Sequence, residues 1–269
     1  MTSSGESATS EIADWWSTSI SDITPGVIRL RGHDIVELLE SWDLVSVIWL
    51  MLRSTTPSPE ESSLLRAAMV ASVDHGPQAP SIAAARMAAT CGIGINSALA
   101  TGVNLLGDTH GGAGQQCVEL YHEIRDTIDD GTTLTSATTE VVARWRTRDR
   151  YLPGFGHRFH HVDPRSRPLL RLVDAAAEEG IVTGVFALIA REVEACLGVG
   201  RPRPVPMNVD GATAVIYAEL GFSPEMARGL FCLSRSVGIL AHAQEEMDGG
   251  ARIKGPMPKS ILPSYVGPG

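Results

Sequence analysis

The sequence predicts an all-α protein, on three observations. Aromatic residues make up only 5% of the 269, while glycine and alanine are abundant. That balance suits closely packed helices better than a β-sandwich, whose strands favour aromatic and β-branched residues. Apolar residues also recur at helical spacing through most of the chain, and caps, prolines and glycines punctuate those runs.

Taken in order, Val27–Arg31 alternates as a short strand closed by Gly32. The stretch "IVELLESWDLVSVIWLMLRS" then reads as one helix, with Ile35, Leu38, Leu39 and Trp42, then Val45, Ile48, Trp49 and Leu52, at helical spacing. Ser58 caps the next helix, Pro59 occupies its first position, Glu60 and Glu61 fill its first turn, and Gly76–Pro77 ends it. Ile82 to Leu106 gives one or two Ala-rich helices with a break near Gly92–Gly94. A helix begins near Thr109, and "TSATTEVVARWRTR" forms another. Helix restarts after Asp163 with Pro164 in its first turn, and "TGVFALIAREVEACLG" follows. Prolines hold "VGRPRPVPM" extended, and "NVDGATAVIYAELG" and "SPEMARGLFCLSRSVGILAHAQEEMDGG" close the core. This amounts to roughly ten helices, almost no sheet, an irregular C-terminal tail and no internal repeat.

Composition narrows the function classes. The formal net charge is −9 and no basic stripe runs along any segment. Nucleic acid and anionic membranes are therefore not expected partners. Only Lys254 and Lys259 are lysines among the 22 basic residues, and arginine is the side chain suited to bidentate carboxylate recognition. Cys91, Cys117, Cys196 and Cys232 form no C-x-x-C pair and sit in apolar, helix-like contexts, as reduced thiols in a cytoplasmic protein would. The start, "MTSSGESATSE", lacks the pattern of a signal peptide and reads as a disordered tail over residues 1–11. Arg86 and Asn96 interrupt the small-residue run from Ile82 to Val103, which reads as a buried helix pair and no membrane span.

Four places put polar groups where a helical core would not want them. His75, in "VDHGPQAPS", follows an apolar helix, where it can serve the helix dipole or a ligand. His110, in "GDTHGGAG", precedes a helix whose first turn is nearly bare of side chains, with Asp108 or Thr109 as its cap. An imidazole at a helix N-terminus stays neutral and can donate to a developing oxyanion. The third place is "PGFGHRFHHVDPR", where Gly154 and Gly156 permit unusual backbone angles before His157, and Arg165 opens a helix. A metal site there needs His157, His160, His161 and Asp163 to converge, and a phosphate loop lacks its Gly-Lys-Ser/Thr ending. The fourth place pairs Asp210, in "MNVDGAT", with Arg235, in "LSRSVG". Asp210 can be an N-cap. Arg235 lies mid-helix between apolar residues, so its buried guanidinium needs an anion, from the protein or from a substrate.

The order of these motifs, from His75 through "HGGA", "GFGHR-x-x-x-x-DPR" and "NVD" to "SRSVG", resembles the citrate synthase superfamily over nearly the whole chain after the tail. The resemblance implies an all-helical fold with a large domain (12–114 and 224–269), a small domain (115–223) and an active site between them. It implies a base, Asp210, that takes a proton from a thioester methyl group. His110 is implied to stabilise the enol oxygen and His157 to donate to the ketone oxygen of oxaloacetate. An acid and a base must flank so weak a carbon acid. Carboxylates are implied to meet His75, Arg165 and Arg235, and coenzyme A to lie along Gly154, Phe155 and Gly156 with Arg158 near a phosphate. No metal and no permanently bound cofactor are implied, coenzyme A entering as a substrate thioester.

The chain departs from citrate synthases in two ways. It is shorter, in the manner of citryl-CoA lyase and the citrate-cleaving module of ATP-citrate lyase, which "DHGPQAPS" also resembles. Its "IKGPMPKS" stands where citrate synthases carry an "RPR"-type element reaching the neighbouring subunit, leaving Arg252, Lys254 or Lys259 as substitutes. The expected reaction is cleavage of citryl-CoA to acetyl-CoA and oxaloacetate, in a homodimer to which Ala83–Leu106 contributes interface. The alternatives are a citrate or 2-methylcitrate synthase that releases CoA, a metal-dependent hydrolase built on the His157/His160/His161/Asp163 cluster, and a non-catalytic relative.

Overall fold

The computed structural model describes residues 14–149, 151–157, 160–203, 205–258 and 260–268. The expected tail over 1–11, Arg158 and Lys259 lie outside them. Among the described residues, eleven helices and one small sheet fall into two compact units that divide between Ser63 and Leu64.

The first unit opens with an antiparallel meander of β1 (Ser21–Thr24), β2 (Val27–Leu30) and β3 (His33–Asp34). The expected strand is β2; the two flanking strands were not legible, being short and only weakly alternating. Leu30 pairs with His33 across a two-residue turn in which Arg31 (φ 50) and Gly32 (φ 87) are both left-handed. That geometry matches the twist of a hairpin. The Arg31 guanidinium secures it by donating to the Met51 carbonyl at 2.9 and 3.2 Å.

The single helix expected after β3 is two: α1 (Ile35–Ser41) and α2 (Leu44–Arg53). Asp43 breaks the run, its carboxylate accepting from the Val45 and Ser46 N–H groups as the N-cap of α2. Apolar spacing continues across this break, which is why periodicity alone runs through it. α3 (Pro59–Ser72) starts as read, with a reciprocal capping box: Ser58 N–H donates to Glu61 at 2.7 Å and Glu61 N–H to the Ser58 hydroxyl at 3.1 Å.

In the second unit, α4 (Pro80–Ala89) and α5 (Ile95–Val103) pair across the break near Gly92–Gly94, and both pack on the long α11 (Pro224–Asp248). Ile82, Ala85, Ala98, Ile239 and Ala243 form their shared core. A Cβ on Gly102 would come within 2.6 Å of Ile239 Cγ2 and 2.8 Å of the Ser81 carbonyl, so small residues here serve packing within the chain. α6 (Ala113–Asp129), α7 (Leu134–Arg148), α8 (Ser166–Glu178), α9 (Val185–Gly198) and α10 (Val209–Glu219) complete the unit. α10 is buried on all sides from Gly211 to Ala218, and α6, α8, α9 and α11 surround it. A helix apolar all round belongs at such a centre.

Two helix starts differ from expectation. α6 begins at Ala113 after Gly112 and has no side-chain cap; Asp108 instead takes a hydrogen bond of 2.5 Å from Arg228. α8 begins at Ser166, so Pro164 lies in the preceding turn. Cys91 is exposed just beyond α4, outside the apolar setting expected of it, while Cys117 is buried. No helix among the described residues is long and apolar enough to cross a membrane.

Candidate active site

The backbone brings the "GFGH" and "NVD" segments together. Gly156 N–H donates to the Pro206 carbonyl at 2.7 Å, and Asn208 N–H donates to the Gly154 carbonyl at 2.9 Å. Phe155 and Met207 bridge between them. Gly154 (φ +78) is required here, since a Cβ would lie 2.6 Å from Cys117 Sγ and 2.8 Å from Gly211 Cα. Asn208 then does two jobs. Its Oδ1 accepts from the Asp210 and Gly211 N–H groups as the cap of α10, and its Nδ2 donates to the Gly156 carbonyl at 2.8 Å. Asp210 is therefore not the cap; it sits in the first turn of α10 with its carboxylate available for other work.

The result is one cleft of ≈ 290 Å³ whose walls include His75, His110, His157, Asp210, Phe231 and Arg235. Residues as far apart as 75 and 235 meet there, and five of the six expected catalytic and carboxylate-binding residues face it.

His110 is held by an element that sequence reasoning missed. Its Nε2 accepts the Ser81 backbone N–H at 3.2 Å and lies 3.0 Å from the Ser81 hydroxyl. Ser81 stands in the first turn of α4, where N–H groups lack partners within the helix. The helix terminus that keeps His110 neutral is thus that of α4, not of the helix that follows it in sequence. With Nε2 accepting, the ring proton resides on Nδ1. Burial, aided by the charge of Arg235, lowers the His110 pKa and favours the same neutral form.

His157 accepts the His160 N–H on Nδ1 at 3.1 Å, which selects the tautomer with its proton on Nε2. Burial lowers its pKa, with Asp163 pulling the other way. His75, whose ring centroid lies 5.9 Å from that of His157, is also pushed down by burial, then by Arg235 and Arg165. Asp210 moves oppositely: burial raises its pKa, and Arg235 and Arg165 recover part of the shift.

The two arginines also finish α3. Arg235 is buried at 4% exposure, stacks 4.8 Å above the Phe231 ring, and donates Nε to the Ser72 carbonyl at 3.0 Å. Arg165 donates Nη1 to the Ala71 carbonyl at 3.1 Å, and the Ser234 hydroxyl donates to that of Met69. These are carbonyls that the end of a helix leaves unsatisfied. Among the described residues Arg235 has no carboxylate within ion-pair distance. Arg165 does: Asp163 grips it with two contacts of 2.9 Å. The same Asp163 accepts the Val209 N–H at 3.0 Å, tying Arg165 to the start of α10. Arg165 accordingly stands outside the cleft lining, and its charge reaches His75, Asp210 and Arg235 through space.

The metal alternative fails on geometry. Among the described residues, which include His157, His160, His161 and Asp163, no three metal-ligating side chains converge. Asp163 is turned inward at 1% exposure and spends its oxygens on Arg165 and Val209. Of the candidates for the C-terminal cation, Lys254 is paired with Glu246 at 2.8 Å. A second cavity of ≈ 560 Å³ adjoins the glycine turn, lined by Tyr151, Phe155, Gly156, His157, Arg201 and Val205.

Comparison with known proteins identifies the family and the fold. Citrate synthase 2 of Bacillus subtilis is 27% identical over 91% of this chain and 63% of its own length. Citrate synthase 1 of Mycobacterium tuberculosis is 31% identical over 77% of this chain and 48% of its own. The chain spans only 37 to 63% of the length of the first such relatives, the shortest share being that of glyoxysomal citrate synthase from Cucurbita maxima. Among solved structures, citryl-CoA lyase from Hydrogenobacter thermophilus superposes with a TM-score of 0.81 at 28% identity, covering 94% of this chain and 95% of the other. Citrate synthase from Thermotoga maritima gives 0.66 at 26% identity, over 83% of this chain and 57% of its own. The family described as citrate synthase, C-terminal domain, matches residues 50–256, and the chain belongs to that family.

Proposed function

We propose that this protein cleaves citryl-CoA to acetyl-CoA and oxaloacetate by reversible Claisen-type chemistry. The observation that carries the reading is the meeting of Asp210, His110 and His157 in a single cleft with Arg235. In the cleaving direction His157 takes the proton of the tertiary alcohol on Nε2, which requires the ring to adopt its other tautomer, with its own proton on Nδ1 and the His160 N–H released. The carbon–carbon bond to the thioester methylene breaks, and its electron pair moves toward the thioester oxygen, where the His110 Nδ1–H stabilises the enol. Asp210 returns a proton to the enol carbon, a task suited to a carboxyl whose pKa burial has raised. The condensing direction uses the same groups in reverse.

Arg235 and His75 face the cleft to receive the carboxylates of the 2-oxo acid, with the charge of Arg165 behind them. Coenzyme A would pass along Gly154, Phe155 and Gly156 into the adjoining cavity, where Tyr151 and Arg201 offer a ring and a cation. It enters and leaves as part of the substrate, so no resident cofactor is needed. Pairing of two copies belongs to the same proposal.

Likeness along both chains to a citryl-CoA lyase favours cleavage without hydrolysis. The many citrate synthases among the relatives favour a second reading, condensation with release of CoA. One experiment separates them. Citryl-CoA is mixed with the purified protein, oxaloacetate is followed with malate dehydrogenase and NADH, and free thiol is followed in parallel. Oxaloacetate without thiol is expected; rapid thiol release from citryl-CoA would overturn the lyase reading in favour of the synthase.

A further inference from the structure

His242 lies on α11, outside the cleft, and the chemistry above makes no use of it. It shares a face of α11 with Arg235 and Gly238, since spacings of three and four residues stack on one side of a helix. The chain leading into His75 runs along this face. Arg235 Nε holds the Ser72 carbonyl at 3.0 Å. At Gly238 the approach is so close that a Cβ would lie 2.8 Å from Asp74 Oδ1. One turn further on, His242 Nε2 lies 3.2 Å from the same Asp74 Oδ1.

Asp74 passes this attachment on. Its Oδ2 accepts the Gly76 N–H at 3.0 Å, closing a turn around His75 that requires Gly76 at φ +81. His75 is thus fixed from both sides: by Arg235 before it and by the Asp74–Gly76 turn around it. The rest of the His242 environment is anionic or distant. Glu245 Oε2 is 3.8 Å from Nδ1, Arg86 lies 3.7 Å beyond that carboxylate, and Nδ1 makes no hydrogen bond among the described residues. Asp74 is therefore the polar group that His242 engages.

We infer that His242 is a positioning residue for the 2-oxo acid: acting through Asp74, it holds the 74–76 turn against α11 and sets where the His75 imidazole meets a substrate carboxylate. The inference rests on the reading of the cleft given above. It assigns His242 an effect on one substrate only, because the Asp74–Gly76 turn leads to His75 and not to the Gly154–Gly156 segment.

The test is equilibrium binding of oxaloacetate and of CoA, each by calorimetry, to the wild type and to His242→Leu and His242→Gln, with thermal melts of each. His242→Leu should weaken oxaloacetate about tenfold and leave CoA within about twofold. Gln, whose amide nitrogen can stand near the place of Nε2, should restore most of the loss. A structural role alone would weaken both ligands together and lower the melting temperature of both variants. That result, or unchanged oxaloacetate affinity, overturns the inference. If His242→Leu does not fold, Asp74→Asn serves, since its side-chain oxygen can still accept the Gly76 N–H; it too should weaken oxaloacetate selectively, and unchanged affinity again overturns the inference. Failure of the wild type to bind oxaloacetate would count against the function proposed for the cleft, not against this linkage.

Discussion

The backbone N–H of Ser81 donates to Nε2 of His110 across 29 residues of sequence. One hydrogen bond at the first turn of α4 thereby decides which nitrogen of a cleft histidine carries the proton. The donor is main chain, so it does not depend on the serine side chain. His110→Ala should lower kcat for citryl-CoA cleavage by about 10²–10³, the usual cost of losing one oxyanion donor. Ser81→Ala, which keeps the N–H, should cost less than about tenfold. Steady-state kinetics on the two variants checks the contrast.

Asp210 should trade stability for activity. Burial raises its pKa in the folded protein above the ordinary aspartate value of 3.8. The folded state then binds more protons than the unfolded state between those two pKa values, so stability falls as pH rises through them. At neutral pH the charged carboxylate is a burden to the fold that Asp210→Asn removes. The variant should melt higher than wild type at pH 7, and the difference should vanish below about pH 3.8, where both states of the wild type are protonated. Its kcat should fall by about 10²–10⁴, the contribution of a general acid–base group. Melts across pH, paired with the turnover assay, test both halves.

Gly154 should tolerate alanine far less well than a glycine in open space. Gly154 and Gly180 have similar angles, φ +78 and +75, but a Cβ meets Cys117 Sγ and Gly211 Cα at the first and nothing within 4 Å at the second. Gly180→Ala should cost about 1 kcal/mol of left-handed strain. Gly154→Ala adds an overpacking term of about 1–3 kcal/mol. Urea unfolding of the two variants gives the comparison.

Much of this was legible in the sequence because the signals are local. Ser58 and Glu61 cap α3 as their spacing says, and Pro224 follows the capping Ser223 in α11. Arg235 announces its burial by its apolar neighbours. The motif order placed His75, His110, His157, Asp210 and Arg235 on one list, and the structure places them on one cleft. What stayed hidden depends on contacts distant in sequence. Asp43 breaks a helix whose apolar period does not change, and Asp108 turns to Arg228 instead of capping α6. Ser81 carries no mark of its partnership with His110, and Asp163 none of its choice of Arg165 and Val209 over the neighbouring histidines. Gly211 faces the same close approach as Gly154, since a Cβ there would lie 2.5 Å from the Gly154 carbonyl.

The carbonyls at the end of α3 have a consequence for affinity. Long, flexible cations usually surrender rotamer freedom when an anion arrives, at about 0.5–1.5 kcal/mol for each side chain immobilised. Arg235 and Arg165 have already surrendered theirs, to Ser72 and to Ala71 and Asp163, when the chain folds. On the proposed function, a carboxylate that reaches Arg235 meets a guanidinium rigid in advance, with Arg165 fixed behind it, and its affinity is set by charge and fit rather than by the entropy of ordering them.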